Sequence, residues 1–222
     1  MQHMARGMFI ILEGGEGAGK STLARGLART FETQNIPVVA TREPGGTPWG
    51  EKIRSLLLDK DASIDHRMSP ATQLLGVYMS RFEHLERVIV PALWEGKVVI
   101  SDRFELSSYA YQVHAQGDAS LARMFHDLHA HVTERLKPFE CVYLYCDIHP
   151  EVGLARVDAR GDAKTIFDEA SLDFHHRVRD GMVHGQIHLD EHFRRHTLDA
   201  SQDAEALLDD ALKVLSQSTE YM

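Results

Sequence analysis

The chain has 222 residues, 43% hydrophobic and 26% charged, which is ordinary for a globular protein and long enough for one domain (1–222) with a sizeable core. Its formal net charge of −9 argues against duplex nucleic acid or an anionic membrane as the main partner, since both select a basic face. No apolar stretch is long enough to span a bilayer, and Met1–Gly7 has no apolar signal core, so a cytoplasmic location without membrane or nucleic-acid-polymer partners is expected.

Phe9–Leu12 reads as a buried strand that runs into a glycine-rich turn. A helix from Ser21 to about Gln34 follows, with Leu23, Leu27 and Phe31 on its inner face. At the junction lies G-x-x-x-x-G-K-S, with Gly14, Gly19, Lys20 and Ser21 in place. Glycines let several backbone N–H groups converge on one anion, and the helix N-terminus adds partial positive charge. Lys20 can reach β/γ-phosphates and the Ser21 hydroxyl can ligate Mg²⁺.

Asn35 ends the helix, and Ile36–Ala40 reads as the second strand. Strand and helix alternating this early predict a parallel sheet with helices on both faces. Thr41–Gly50, TREPGGTPWG, is an irregular loop. Ligands of open α/β sheets sit at the carboxyl ends of strands. Arg42 is therefore a candidate anion contact, with a surface pair to Glu43 as the plain alternative. Glu43–Pro44 is a candidate cis bond. Thr47–Leu58 has a helical pattern. Ser69-Pro70 starts a helix expected to reach about Glu95, with Pro91 kinking or breaking it. Arg81 falls on or near its apolar face. A buried, unpaired arginine is very costly, so Arg81 either snorkels to water or lines a polar site.

Val98–Ser101 reads as the third strand and ends at Asp102-Arg103. A carboxylate at a strand end beyond a phosphate loop can hold Mg²⁺ directly or through water; a local Asp–Arg ion pair is the alternative. Lys20, Arg42 and Arg103 are more cations than one nucleoside triphosphate usually needs, which points to a donor and an acceptor that both carry phosphate. Glu105–Ala115 reads as a helix with Ser108, Tyr111 and Gln112 on one face, able to offer hydrogen bonds and a flat ring to a base.

Asp118–Leu136 is a further helix and Glu140–Cys146 the fourth strand. Cys141 and Cys146 face opposite sides of it, as buried free thiols. His149-Pro150-Glu151 opens a helix carrying Arg156 and Arg160. The polar Arg160–Lys164 stretch suggests a lid, about 156–168, that brings charge to a transferring phosphoryl group on closure. Phe167 to about His192 reads as helix, Phe193–Leu198 as the fifth strand and Ala204–Leu215 as the terminal helix. His126, His129, His131, His175 and His176 read as structural or solvated, because their spacing supplies no metal site.

Together EGGEGAGKST (Glu13–Thr22), TREPGGT (Thr41–Thr47), SDRFELSSYAYQ (Ser101–Gln112), HPEVGLAR…RG (His149–Gly161) and LDFHHRVRDG (Leu172–Gly181) resemble thymidylate kinases of the bacterial kind. The resemblance implies an α/β P-loop three-layer fold, a five-stranded parallel sheet with helices on both faces and a small lid. It also implies a homodimer that phosphorylates dTMP to dTDP with ATP and Mg²⁺, on the way to dTTP. By position, Gly14, Gly15, Glu16, Gly17, Ala18, Gly19, Lys20, Ser21 and Thr22 would bind ATP, with Ser21 and Asp102 serving the metal. Arg42 and Arg103 would hold the acceptor phosphate, Glu16 the sugar 3′-hydroxyl and Arg81 the thymine O4. Ser108 and Gln112 would sit at the base edge and Pro44 beside the substrate. Tyr111 would lie under the sugar, where it crowds a ribose 2′-hydroxyl. Arg156 and Arg160 would be lid cations acting with Lys20, Asp102 and Arg103.

Three positions depart from the family pattern. Val77 stands where an aromatic usually stacks on thymine, with Tyr78 beside it as the candidate replacement. Lys164 stands near a missing lid arginine and cannot make its fork contact. Met182 stands where a tyrosine is usual. Two rival readings remain: a kinase for another monophosphate such as UMP, and a P-loop switch that hydrolyses a nucleoside triphosphate without an acceptor.

Overall fold

The structure, a computed structural model, describes residues 6–59, 68–161, 165–186, 191 and 193–216. Its centre is β1 (Met8–Glu13), a strand buried along its whole length. Strands covered on both faces need a continuous apolar run rather than alternation, and MFIILE supplies one. Phe9 and Ile11 enter one core layer, with Leu74, Phe125 and Val178; Met8, Ile10 and Leu12 enter the other, with Leu23, Leu27 and Leu207. The described residues form a five-stranded, all-parallel sheet ordered β2-β3-β1-β4-β5. β2 is Val38–Arg42, β3 Val98–Asp102, β4 Glu140–Asp147 and β5 Arg194–Asp199.

Register positions the site. Leu12 pairs with Asp102, and Asp102 with Arg42. The carboxyl ends of β1, β2 and β3 are therefore level. The loops that leave them, at Gly14, Glu43 and Arg103, meet above one edge of the sheet. α1 (Lys20–Thr33) and α9 (Ala204–Ser216) cover one face. α3 (Pro70–His84) and α6 (Leu121–Leu136) cover the other. α2 (Pro48–Leu58) packs on α3. Thr47 caps α2 by accepting from Gly50 N at 2.9 Å.

Several boundaries differ from expectation for local reasons. β2 begins two residues late, at Val38, because Asn35 takes φ 60° and Ile36 N donates back to Phe31 O at 2.9 Å. Pro91 does not break its helix. A π-helical turn at Leu85–Ile89, in which Val90 N donates to Leu85 O, precedes it and carries the chain into α4 (Val90–Trp94). Such a widened turn rearranges the ladder where proline lacks its donor. The helix expected from Glu105 is α5 (Glu105–Ser108) followed by another π-helical turn, Tyr109–His114, closed by Ala115 N donating to Ala110 O at 2.9 Å.

α7 is Pro150–Arg160. Phe167 does not start a helix. Thr165 and Asp168 bond one another in a turn, and Ser171 then caps α8 (Leu172–Gly185) by accepting from Phe174 N at 3.2 Å. The expected helix end at His192 lies outside the described residues, as do Asp162–Lys164 of the expected lid. Cys141 and Cys146 are free and buried in opposite core layers. Among the described residues no helix is long and apolar enough to cross a membrane.

Candidate active site

The loop after β1 runs through Gly14, Gly17 and Gly19 with φ of 149°, 70° and 81°. Gly17–Thr22 line a polar cleft together with Arg42, Asp102, Arg103 and Arg160. Lys20 is buried beneath it, with Nζ donating to Gly15 O at 2.7 Å. Burial lowers the pKa of that ammonium and Arg103 adds to the effect, while Asp102 and Glu16 oppose it. Across the cleft floor the Ser21 hydroxyl donates to Asp102 Oδ2 at 2.5 Å. Two hard oxygens of this kind suit a magnesium ion.

Arg103 joins this cleft to a second one. Its backbone is left-handed (φ 76°), and its N–H donates to Leu12 O at 2.8 Å. Its guanidinium donates to Gly14 O (3.0 Å), Ser107 Oγ (3.1 Å) and Glu16 Oε1 (2.8 Å). Tyr111 lies beneath it, ring centroid 5.1 Å away, and donates its hydroxyl to the same Glu16 oxygen at 2.8 Å. Burial opposes ionisation of Glu16, yet Arg103 and Lys20 hold its carboxyl down at about 2. Glu13, wholly buried, accepts from Phe104 N, Ser107 N and Ser107 Oγ, and so fixes α5 to the end of β1.

The second cleft is lined by apolar and polar side chains together, among them Leu57, Val77, Ser108 and Gln112, the mixture typical of small-molecule sites. Glu16, Glu43, Arg54 and Arg103 line both clefts. Arg81, 1% exposed, forms part of its wall. Nε donates to Glu43 Oε2 at 2.7 Å, and Nη2 donates to Phe104 O (2.8 Å) and Ser108 Oγ (2.9 Å). Nη1 has no hydrogen-bond partner among the described residues. A buried donor left unmatched costs about 1–3 kcal/mol, so an acceptor arriving in the cleft recovers that energy. Glu43 is itself held by His84, 3.0 Å away, which bonds the Thr41 hydroxyl at 2.7 Å. The Glu43–Pro44 peptide is cis. Ser108, Tyr111, Gln112 and Pro44 also face this cleft.

Some expected site residues stand elsewhere. Tyr78 does not replace the missing aromatic. It is 1% exposed and packs on Phe82 and Phe125, centroids 6.0 and 6.3 Å away. Val77 and Arg81, four apart on α3, share the cleft-facing side, and the next position along a helix is turned about 100° away. The Tyr78 ring instead supports the Arg81 guanidinium from behind at 4.5 Å. Arg156 is not at the phosphate cleft either: its guanidinium donates to Ala200 O, Ser201 O and Gln202 O, which ties α7 to the loop after β5. Arg160 does line the phosphate cleft. Arg42 pairs with Glu51 (2.9 Å) rather than Glu43. Lys164 lies outside the described residues, and Met182 is buried core.

Three contributors went unread in the sequence. Arg54, one turn before the end of α2, reaches under the TREPGG loop and donates to Pro44 O at 3.1 Å. Glu43, the plain alternative partner of Arg42 by sequence, instead pairs with Arg81 and His84. Phe167 also lines the second cleft, its ring centroid 5.2 Å from that of Tyr111. An arginine on the short helix that follows the strand-end loop was the available signal for Arg54; an aromatic in a polar stretch was the signal for Phe167.

A family model described as thymidylate kinase matches residues 12–211 of the chain. Among curated relatives, the thymidylate kinase of Alkalilimnicola ehrlichii is 42% identical over 205 residues, covering 92% of this chain and 90% of that protein. That of Ectopseudomonas mendocina is 42% identical over 214 residues, covering 93% and 97%. That of Caulobacter vibrioides is 46% identical over 180 residues, covering 81% and 83%.

The tightest steric constraint in the site lies between the phosphate loop and α7. A Cβ at Gly17 would sit 2.0 Å from Gly153 O, and one at Gly153 would sit 2.2 Å from Glu16 O. Neither contact is physically possible without backbone movement. Gly153→Ala is expected to destabilise the protein by about 1–3 kcal/mol and to weaken ATP binding more than dTMP binding. A denaturation midpoint and separate titrations of the two nucleotides check this; unchanged ATP affinity contradicts it.

Proposed function

The chain belongs to the thymidylate kinase family and phosphorylates dTMP with ATP, and from that premise we propose how its own residues perform the transfer. The observation that carries the reading is the pair of clefts meeting at Glu16 and Arg103. One presents backbone N–H groups, Lys20 and the start of α1 to a polyphosphate. The other presents Arg81, Ser108 and Gln112 to a planar base.

ATP phosphates would lie on Gly14–Thr22, with Lys20 at the β/γ-phosphates. Ser21 and Asp102 would hold a Mg²⁺ ion, which when bound supplies charge neutralisation across the β- and γ-phosphates. dTMP would enter the second cleft base first. The Arg81 Nη1 would donate to the thymine O4 and lose its unmatched state. Tyr111 would lie under the sugar and crowd a 2′-hydroxyl, while Glu16 would accept from the 3′-hydroxyl. Arg42 and Arg103 would hold the 5′-phosphate at the junction, with Pro44 beside it.

The γ-phosphorus then passes from the ADP leaving oxygen to a dTMP phosphate oxygen. One P–O bond forms and one breaks, giving ADP and dTDP. A phosphate monoester has its second pKa at about 6, so the acceptor is already largely ionised near neutral pH and no strong base is required. The residues act by positioning and by neutralising charge. Arg160, on the rim of the phosphate cleft, is the lid cation best placed to assist; Arg156 would assist only if α7 released its three carbonyls.

Three measurements test this. A panel of nucleoside monophosphates in an ADP-release assay is expected to favour dTMP over UMP and GMP. ATP consumption as fast without dTMP as with it would favour the hydrolytic switch instead. Lys20→Ala and Arg103→Ala are each expected to lower turnover by orders of magnitude while the fold survives; near-wild-type turnover in either folded variant contradicts its role.

We also propose a homodimer. Leu56 on α2 and Leu75 and Met79 on α3, two helices packed on one another, are 62%, 50% and 60% exposed, and clustered exposed apolar side chains are what a subunit interface covers. Light scattering is expected to give twice the chain mass, and the double substitution Leu75→Glu, Met79→Glu to halve it. A monomeric wild type contradicts the dimer.

A further inference from the structure

We propose that His114, Asp180 and His184 form a binding site for a zinc-class divalent cation, separate from both nucleotide clefts. Asp180 and His184 are four apart on α8 and so lie one above the other on one helix face. His184 Nδ1 is 3.2 Å from Asp180 Oδ1. His114 ends the π-helical turn that faces α8, and its Nε2 is 2.9 Å from Asp180 Oδ2. The three candidate ligand atoms all lie within 4.8 Å of one another. Tetrahedral zinc, with bonds of about 2.0–2.1 Å, sets its ligand atoms roughly 3.3 Å apart. The two imidazoles lie nearly parallel, centroids 5.9 Å apart, so the rings must turn about their side-chain bonds to aim both lone pairs at one ion beside the Asp180 carboxylate.

The supporting backbone is tightly fixed. A Cβ at Gly181 would fall 2.9 Å from His114 Cβ and 3.0 Å from Ala110 Cα; one at Gly185 would fall 2.7 Å from side-chain atoms of Leu106 and Tyr109. Each glycine directly follows one of the α8 ligands. The glycines let α8 sit against the π-helical turn at a distance that other residues would not allow, and this distance brings His114 to Asp180. Sites carried on rigid elements hold ligand geometry better than sites on loops. The π-helical turn itself shifts the phase of His114, and such turns recur where a chain positions functional groups.

The donor set selects the metal. Two imidazoles and one carboxylate suit Zn²⁺, Co²⁺, Ni²⁺ or Cu²⁺, whereas Mg²⁺ takes oxygen ligands. Three protein ligands leave a fourth position for water. On binding, His184 Nδ1 would exchange its 2.9 Å contact to Asp180 O for the metal. The ion would then pin α8 to the turn that carries Tyr111 and Gln112, on the base side of the acceptor cleft.

The test uses the full chain, stripped with EDTA and held in excess Mg²⁺ so that oxygen sites are satisfied. Titration with Zn²⁺ by calorimetry is expected to show one equivalent bound at micromolar or tighter affinity, with a rise in melting temperature. His184→Ala and Asp180→Asn change exposed side chains outside the nucleotide clefts. Each is expected to keep kinase activity in Mg²⁺, to lose zinc affinity by on the order of tenfold or more and to abolish the melting shift. Co²⁺ should give a visible d–d spectrum in the wild type that both variants lose. No binding by the wild type, or equal affinity in wild type and both variants, overturns the site and assigns any bound zinc to scattered histidines.

Discussion

The Arg103–Glu16 ion pair is the interaction on which the site depends. A non-glycine residue in the left-handed region costs roughly 1–3 kcal/mol and persists only where its surroundings over-determine it. Arg103 meets that condition through its N–H to Leu12 O and guanidinium bonds to Gly14 O, Ser107 Oγ and Glu16 Oε1. These contacts join β1, its phosphate loop, the end of β3 and α5. Glu16 in turn receives the Tyr111 hydroxyl, so the loop that holds one cleft also forms the wall of the other. Arg103 and Tyr111 thus share one carboxylate oxygen of the loop.

A second charged network lies in the wall of the second cleft. Arg81, Glu43, His84 and Thr41 are linked in sequence by bonds of 2.7, 3.0 and 2.7 Å. Buried ion pairs contribute little net stability, because desolvation of both charges offsets their attraction. Their value here is positional. Glu43 holds the guanidinium from one edge, Phe104 O and Ser108 from another, and the rings of Tyr78 and Phe104 cover its faces at 4.5 and 4.9 Å. Little freedom remains, and the single unmatched Nη1 is a directional donor at the cleft wall. Val77 lines the same cleft as Phe167, whose ring packs edge-on against Tyr111 at 5.2 Å.

Much of this was legible in the sequence where local chemistry is decisive. The short apolar run Phe9–Leu12 reads as a strand covered on both faces because G-x-x-x-x-G-K-S follows it directly, and that motif dictates the loop. Parallel order came from strand and helix alternation, and register then brought Arg42 and Asp102 level, as strand-end reasoning anticipated. Periodicity puts Tyr78 on the apolar face of its helix, where it is buried; the misplaced role as a stacking ring came from the family pattern at its neighbour Val77, one helical step away. The two π-helical turns were unreadable: each adds one residue to a turn without a distinct residue pattern. Arg156 was read from its neighbourhood to Arg160, but its partners are carbonyls 44 to 46 residues away, and no local pattern encodes them. The same holds for the pairing of Glu43 with Arg81 rather than Arg42.

The most direct test of two clefts sharing one transfer space is a single compound that joins adenosine to thymidine through an oligophosphate bridge. Its binding should compete with both ATP and dTMP, and its affinity should exceed that of either nucleotide alone, because linking makes the second contact intramolecular. Substitution of Arg103 by Ala should weaken it through both ends. Competition with only one of the two nucleotides would contradict the junction at Arg103 and Glu16 as the place of transfer.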